Sequence, residues 1–313
     1  MVFQHSKETI MTLNNQWQEQ ILSWEYDSSA NPNLADIPIH AFPAELHEEG
    51  ETAIIELDLS STIETDYPAT TPNLLANYIH IKPNENISTQ VNSTSEVFFV
   101  MRGSGYTETD QGKIEWKKGD VFTLPSNTGL THNAIQDSAI CWVHDSPLLN
   151  YIGAVAGKAR FQPAFYSQEY LEGEISRIRE AGIKENRNRN GVILGNPASE
   201  KTRTMTHSMW SLYNLLPKGA VQKPHRHNSV AIDLAVYAAD ENVYTMIGKE
   251  IDDEGNIIDP IKAVWKPNTV FVTPPGWWHA HYNESDEDAY VFPMQDAGLQ
   301  INMRTLDIQF VRD

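Results

Sequence analysis

The sequence contains two strand-rich blocks that carry similar motifs in the same order. Each block has an apolar run that ends in proline, VFTLP at Pro125 and VFVTP at Pro274, and these prolines are 149 positions apart. A histidine follows each run, and His132 and His279 are 147 positions apart. Runs of Ile, Val, Phe, Tyr and Thr between Gly, Pro and Asn predict β-strands. Because duplicated domains leave paired motifs at a nearly constant offset, the sequence predicts two copies of one β-domain.

A second pair of motifs lies near the start of each block. Gln90 and Asn92 follow the sequence PNENIST, and His225 and His227 follow the sequence KGAVQKP, 135 positions later. The acidic segment GKEIDDEGNIID in the second block accounts for the difference between the offsets of 135 and 149. Its composition is typical of a surface loop.

The repeat divides the chain into four expected regions. They are an N-terminal helix and arm at residues 1–70, a first β-domain at 71–150, a helical linker at 151–204 and a second β-domain at 205–313. The linker contains the helical segment GEISRIREAGI and the polar, basic stretch KENRNRN, which is typical of a connection between domains.

One amphipathic helix is expected near the N-terminus, behind a potential cap at Ser6. Its apolar residues recur at helical spacing and are Ile10, Leu13, Trp17, Ile21 and Trp24. Residues 27–48 hold three prolines and favour an extended arm.

The composition excludes several classes of protein. The chain has 313 residues, of which 23 are Lys or Arg and 42 are Asp or Glu, so its formal charge is −19. A surface of this charge repels phosphate backbones and anionic membranes, and neither is expected as a partner. The single cysteine, Cys141, cannot form an internal disulfide, and the N-terminus lacks the pattern of a secretory signal. We therefore expect a soluble, cytoplasmic protein.

Three histidines in the second block form a candidate metal site. On a strand, side chains at i and i+2 face the same side, so His225 and His227 can bind one ion. His279 follows a Pro-Gly turn at a neighbouring strand and can supply a third ligand. Imidazole binds Fe, Zn, Cu and Ni alike, so the ligands alone do not identify the metal. An HxH pair can also occur in a strand without binding a metal.

These motifs resemble the two signatures of the cupin superfamily. The first is a glycine, five residues and HxH, as in Gly219 to His227, and the second is PxG, two residues and a histidine, as in Pro274 to His279. The match in both halves resembles a bicupin. The segments TTPNLLANYIHIKPNENIS, HRHNSVAIDLAV and VFVTPPGWWHAHYN resemble gentisate 1,2-dioxygenase-like bicupins.

The resemblance implies an all-β fold of two tandem cupin barrels, also called double-stranded β-helices or jelly rolls, with a helical N-terminal extension. It also implies a cytoplasmic enzyme of aromatic compound catabolism, a non-haem Fe(II)-dependent dioxygenase that acts on a small hydroxylated aromatic substrate with O2. Mn, Ni, Zn or Cu remain alternatives to Fe(II), and a homo-oligomer is expected. Two other functions stay open, a lyase or isomerase that uses the metal as a Lewis acid, and a non-catalytic bicupin that binds a small ligand.

The first block departs from the family pattern. Gln90 and Asn92 occupy its HxH positions, so the metal site that this family commonly has in its N-terminal cupin is expected to be lost. A second, weak site can still form from Gln90, Glu96 and His132, because strand parity places the first two on one face. The alternative is a buried polar network that serves packing alone.

The second block departs from the pattern at Asp233, where gentisate-type motifs carry an arginine implicated in holding the substrate carboxylate. Strand parity puts Asp233 and Tyr237 on the same face as the HxH pair unless a β-bulge intervenes. An inward Asp233 would repel a carboxylate and attract a cationic or hydroxyl-bearing group. The alternative is that it pairs with an arginine such as Arg203 or Arg304.

Further residues of the second block are candidates for substrate binding and proton transfer. The candidate substrate-binding residues are Trp210, Trp277, Trp278 and Tyr237, since aromatic side chains near a metal can stack on a ring. The candidate acids or bases are His281, Asp233 and Tyr282.

Overall fold

The computed structural model describes most of the chain, namely residue 17 and residues 19–125, 129–184 and 189–311. Residues 1–35 and residues 36–313 form separate compact units. The described part of the first unit contains the short helix α1 (Tyr26–Ser29), whose first amides bond to the Glu25 carboxylate.

The apolar spacing predicts an N-terminal helix that extends to Trp24, and this prediction is wrong at the C-terminal end of the helix. Ile21 and Trp24 are not helical and are exposed to solvent. Apolar spacing stabilises a helix only where the apolar face is buried, and the side chains of Ile21 and Trp24 are exposed. Ile10 and Leu13 lie outside the described residues.

The first barrel combines a six-stranded and a four-stranded antiparallel sheet. In order across the larger sheet, the strands are β11 (Ala164–Tyr166), β8 (Val121–Pro125), β5 (Ser95–Arg102), β10 (Ser138–His144), β3 (Leu75–Ile81) and β2 (Ala53–Glu56). In order across the smaller sheet, they are β4 (Asn86–Thr89), β9 (Leu130–Ala134), β6 (Ser104–Thr109) and β7 (Gly112–Lys117).

The second barrel combines a six-stranded and a five-stranded antiparallel sheet. The larger sheet has the order β1 (Ala41–Phe42), β18 (Thr269–Thr273), β15 (Ala231–Tyr237), β20 (Ala289–Gln295), β13 (Trp210–Leu216) and β12 (Asn190–Leu194). The smaller sheet has the order β17 (Ile261–Val264), β16 (Val243–Gly248), β19 (Trp278–Asn283), β14 (Val221–His227) and β21 (Ile308–Phe310).

Helices connect the strands at the edges of the two barrels. They are α2 (Glu45–Glu48), α3 (Ser60–Ile63), α4 (Ser146–Ile152), α5 (Gln168–Lys184) and α6 (Ala297–Met303), with a 3₁₀ turn at Pro197–Ser199. Helix α5 contains the predicted segment GEISRIREAGI. Strands from the predicted arm and linker extend both barrels, and the division into four regions stays a prediction. No helix in the described residues is long and apolar enough to cross a membrane.

The central strands of both six-stranded sheets are buried on both faces, which explains why they are nearly continuous apolar runs. Along β5, Phe98 and Val100 point into the first barrel, whereas Val97, Phe99 and Met101 join an apolar cluster that includes the second barrel's large sheet. Residues from both large sheets form this cluster, so the two barrels pack face to face through them.

Strand pairing corrects the correspondence between the two blocks. His132 pairs with Thr107 across β9 and β6, as His281 pairs with Thr245 across β19 and β16. His132 therefore corresponds to His281, 149 positions later, and not to His279. His132 and His281 each lie seven positions after the proline of their block, whereas His279 lies five positions after Pro274, so the proline spacing agrees with the strand pairing.

The residue of the first barrel that corresponds to His225 is also one position away from Gln90, the residue that the sequence motifs predict. Thr89 pairs with Leu130 as His225 pairs with His279, so Thr89 and not Gln90 occupies the place of His225. Strand β14 carries an additional residue in its register before His225, and sequence spacing alone does not reveal such a bulge.

Two buried aspartates at equivalent positions of the two barrels each accept a hydrogen bond from the other barrel. Asp145 follows β10 and accepts hydrogen bonds from Thr94, from the Ser95 amide and from the Ser208 hydroxyl of the second block, the last at 2.6 Å. Asp296 follows β20 and accepts from the Val230 amide. Its second oxygen accepts from Asn73 of the first block, at 2.6 Å.

We expect Asp145→Asn to lower the free energy of unfolding by about 2 to 4 kcal/mol, because the amide keeps one acceptor oxygen and turns an N–H toward donors that are already buried. Urea unfolding followed by tryptophan fluorescence measures this change. The matched control is Asp110→Asn, since Asp110 is exposed. Equal unfolding midpoints for the two variants would contradict the assignment.

Candidate metal centre

Four histidines on two neighbouring strands point into the second barrel. His225 and His227 lie on β14, and His279 and His281 lie on β19, with His225 directly opposite His279. The ring centroids of His225 and His279 are 4.0 Å apart, and those of His227 and His279 are 4.9 Å apart. Ring nitrogens of His225, His279 and His281 all lie within 4.8 Å of one another. The structure thus places His225 close to both His279 and His281, and His227 close to His279.

Burial keeps the four imidazoles neutral. It lowers the pKa of each ring because the charged form loses its hydration, and neighbouring rings lower the pKa values of His225 and His279 further. For His281 burial lowers the pKa to about 3. A neutral imidazole has a lone pair for a metal. The Nδ1 atom of His225 is buried without a hydrogen-bond partner, so this cluster fits a divalent transition metal.

Two of these rings are held in the tautomer that a metal ligand needs. His227 Nδ1 lies 2.8 Å from the Ser229 carbonyl, and His279 Nδ1 lies 3.2 Å from the Trp277 carbonyl. A carbonyl oxygen only accepts, so each Nδ1 carries the hydrogen and each Nε2 keeps its lone pair. Backbone carbonyls commonly orient metal-binding histidines in this way.

A cavity of about 310 Å³ opens beside the four rings. Its walls include Gly191, Ile193, Leu212, Pro293, Ile308 and Phe310, which are apolar, and Asn214, Gln222 and Gln295, which offer amides. Apolar walls with a few polar groups are typical of a small-molecule site.

Asp233 lines this cavity, as strand parity predicts for an inward side chain. Among the described residues its hydrogen-bond partner is the Thr273 hydroxyl at 2.6 Å, so it pairs with neither Arg203 nor Arg304. Burial raises the pKa of its carboxyl to about 7, since the charged form is poorly solvated there.

Arg189 is a cavity residue that the sequence interpretation missed, because it lies in the basic stretch that was assigned to the linker. Its guanidinium donates to the Lys223 carbonyl at 2.6 Å and lies 4.9 Å from the centre of the Phe310 ring. Among the described residues, its buried Nε has no hydrogen-bond partner and no carboxylate forms an ion pair with its guanidinium. Arg189 is therefore a cation without an acidic partner among the described residues.

Trp210 lines the cavity, but the other predicted substrate-binding residues lie elsewhere. Tyr237 follows a register shift in β15 and is exposed, with its hydroxyl bonded to Glu287. Trp277 lies near Lys249 outside the cavity lining, and the ring of Trp278 contacts Arg226.

Tyr282 is not a cavity residue either. It follows His281 on β19 and points to the opposite face of the sheet, where it stacks on Tyr244 at 5.1 Å. The prediction of Tyr282 as an acid or base is therefore wrong, because a proton must pass over hydrogen-bond distance.

The first barrel does not form the weak second site. Gln90 is exposed, Glu96 accepts a hydrogen bond from the Trp142 indole at 3.0 Å, and both nitrogens of His132 bond to threonine hydroxyls. Burial raises the pKa of Glu96 to about 8, so this carboxyl is protonated and a poor ligand near neutral pH. Packing, with its polar groups paired, accounts for these residues.

Comparison with solved structures identifies this architecture. A salicylate 1,2-dioxygenase from Pseudaminobacter salicylatoxidans superposes with a TM-score of 0.72, at 11% identity over 96% of each chain. The chain has the bicupin fold. The same enzyme in a structure with gentisate gives a TM-score of 0.72 at 11% identity, over 98% of this chain and 94% of that one.

A more distant structural neighbour is an oxalate decarboxylase from Bacillus subtilis, a protein with Mn(II) centres. It gives a TM-score of 0.51 at 13% identity, over 87% of this chain and 79% of that one. No protein-family model matches the sequence, and no curated protein is significantly similar to it.

We expect Asp233→Asn to gain stability over the wild type as pH rises from about 4 to 7. The folded state holds a proton on Asp233 up to about pH 7, whereas the unfolded chain releases it near 3.8, so deprotonation destabilises the wild type across this interval. The difference reaches at most about 4 kcal/mol at pH 7. Thermal melts of both proteins across this pH range measure it, and a difference that does not vary with pH would contradict a buried, unpaired carboxyl.

Proposed function

We propose that this bicupin is a non-haem Fe(II)-dependent dioxygenase that acts on a small hydroxylated aromatic substrate with O2. The observation that carries the proposal is a cluster of neutral imidazoles beside an apolar-walled cavity. The likeness to a salicylate 1,2-dioxygenase supports it through the fold. In this proposal His225, His227 and His279 hold the iron, since the tautomers of His227 and His279 present lone pairs.

Bound Fe(II) supplies redox chemistry with O2 and a positive charge that attracts the oxygen atoms of the substrate. Three neutral ligands leave this charge uncompensated. The apolar side chains of Ile193, Leu212 and Phe310 line the cavity and would contact the faces of a ring.

Two ionisable residues of the cavity, Arg189 and Asp233, would orient the substrate. Arg189 has a free buried Nε that can bind an anionic group. Asp233 can accept a hydrogen bond from a hydroxyl or an amino group and is the candidate proton acceptor, because burial brings its pKa to about 7. A ring that carries both an anionic group and a donor substituent fits these residues.

We expect protein loaded anaerobically with Fe(II) to bind about one iron per chain and to consume O2 with some member of a panel of phenolic acids, aminophenols and catechols. His225→Ala is expected to lose iron and to lower oxygen uptake by at least about 100-fold, because even the loss of a residue that merely orients a ligand costs about 10- to 100-fold. Metal analysis and an oxygen electrode measure both quantities. His207→Ala, at an exposed position outside the cavity lining, is the matched control.

The outcomes separate the alternative functions. Bound metal without oxygen uptake across the panel would favour a lyase or isomerase that uses the metal as a Lewis acid. Absence of metal from protein prepared without chelators, and failure to take up Fe(II), would overturn the three-histidine site and leave a metal-free binding protein.

A further inference from the structure

A chain of hydrogen bonds reaches His281 from behind the cavity. The Trp265 indole Nε1 lies 2.8 Å from Thr245 Oγ1, and this oxygen lies 2.9 Å from His281 Nδ1. Trp265 and Thr245 are buried. Water therefore cannot replace either partner without a change in the packing of the barrel.

The chemistry of the three groups gives this chain a direction. An indole N–H only donates, so Trp265 donates to the oxygen of Thr245. The Thr245 hydroxyl then has its own hydrogen to donate, and His281 Nδ1 is the acceptor within reach. A neutral imidazole that accepts at Nδ1 carries its hydrogen at Nε2. His281 therefore presents an N–H rather than a lone pair.

The first barrel contains the same chain at the corresponding positions. Trp116 Nε1 lies 3.0 Å from Thr107 Oγ1, which lies 2.8 Å from His132 Nδ1. There His132 Nε2 lies 3.0 Å from Thr89 Oγ1, so its N–H has an acceptor inside the protein. The chain crosses all four strands of the small sheet, from β7 through β6 and β9 to β4.

The second barrel lacks the last partner of this chain. The position of Thr89 is taken by His225, which belongs to the candidate metal centre. His281 lines the cavity, and the described residues supply no hydrogen-bond partner for its Nε2. Its N–H is thus left for a group that enters the cavity.

We propose that Trp265 and Thr245 are positioning residues that hold His281 in its Nε2–H tautomer, so that His281 donates a hydrogen bond to an oxygen of the bound substrate and is not a metal ligand. This proposal depends on the proposed function only for the identity of the substrate. If His281 bound a metal through Nε2, its Nδ1 would need the hydrogen, and the buried Thr245 hydroxyl would lose its acceptor. Leaving such a donor unpaired is unfavourable in a buried site.

The tautomer can be measured directly in protein labelled with 15N at histidine. Long-range proton–nitrogen spectra distinguish a protonated ring nitrogen from an unprotonated one, and His281→Gln assigns the His281 signals. We expect His281 to be protonated at Nε2 both without metal and with Zn(II), a diamagnetic probe. Zn(II) should shift the nitrogen signals of His225, His227 and His279. The signals of His281 and His132 should still report the same tautomer as without metal. A shift of a His281 nitrogen to the metal-bound range would overturn the proposal.

Threonine variants test the positioning role, and the repeat provides a matched control. Thr245→Val keeps the shape of the side chain and removes the hydroxyl, so we expect His281 to populate both tautomers while Zn(II) binding stays at about one ion per chain. Thr245→Ser should restore the single tautomer. Thr107→Val makes the same change in the first barrel and should affect His132 alone. An unchanged His281 tautomer in Thr245→Val would contradict the role of the chain.

The donor role is tested with 4-nitrocatechol, a coloured hydroxylated ring, as a probe of the Zn(II)-loaded protein. We expect Thr245→Val and His281→Gln to weaken its binding by about tenfold, the effect of one hydrogen bond, and Thr107→Val to leave it unchanged. Equal binding by all variants would overturn donation to the substrate. Failure of the wild type to bind the probe would count against the proposed substrate class, and the tautomer spectra would still decide whether His281 is a ligand.

Discussion

Both barrels share one pattern of strand pairing, so they differ mainly in the side chains that point into their interiors. These side chains determine whether a barrel has an apolar core or a cavity. Asp233 pairs with Pro293 and Phe271 in the second barrel, and Phe98 pairs with Trp142 and Phe122 at the equivalent places of the first. Phe98 stacks on Phe122 at 4.7 Å, and these rings belong to the apolar cluster inside the first barrel. Leu130 stands there in the place of His279. The same backbone thus supports an apolar core in one half and a polar cavity in the other.

Much of the candidate site could be predicted from sequence, because the relevant spacing is local. The glycine, HxH and PxG motifs identify three histidines that a pair of adjacent strands must bring close together. Strand parity also places Asp233 on the cavity face, since no bulge separates it from Ala231. The repeat predicted two copies of one β-domain, and the resemblance of the motifs to those of cupins implied that each copy is a barrel.

Features that depend on register or on distant segments could not be predicted. One additional residue in β14 moves the counterpart of His225 from Gln90 to Thr89, and a register shift in β15 takes Tyr237 out of the cavity. Arg189 enters the cavity from a segment whose polar composition is typical of a linker. The role of His281 depends on Thr245, which is 36 positions away in sequence and has no signature of its own.

The charge of the site differs in sign from that of the protein. The chain as a whole has a formal charge of −19, which repels anions at long range. Inside the cavity, however, the histidines are neutral and Arg189 has no acidic partner among the described residues, and Asp233 is protonated for much of the population below pH 7. Salt screens the long-range repulsion over about 8 Å at physiological ionic strength, whereas a buried cation is screened much less. An anionic ring that reaches the cavity therefore meets a local field that favours binding, and a divalent ion on three neutral imidazoles would strengthen that field.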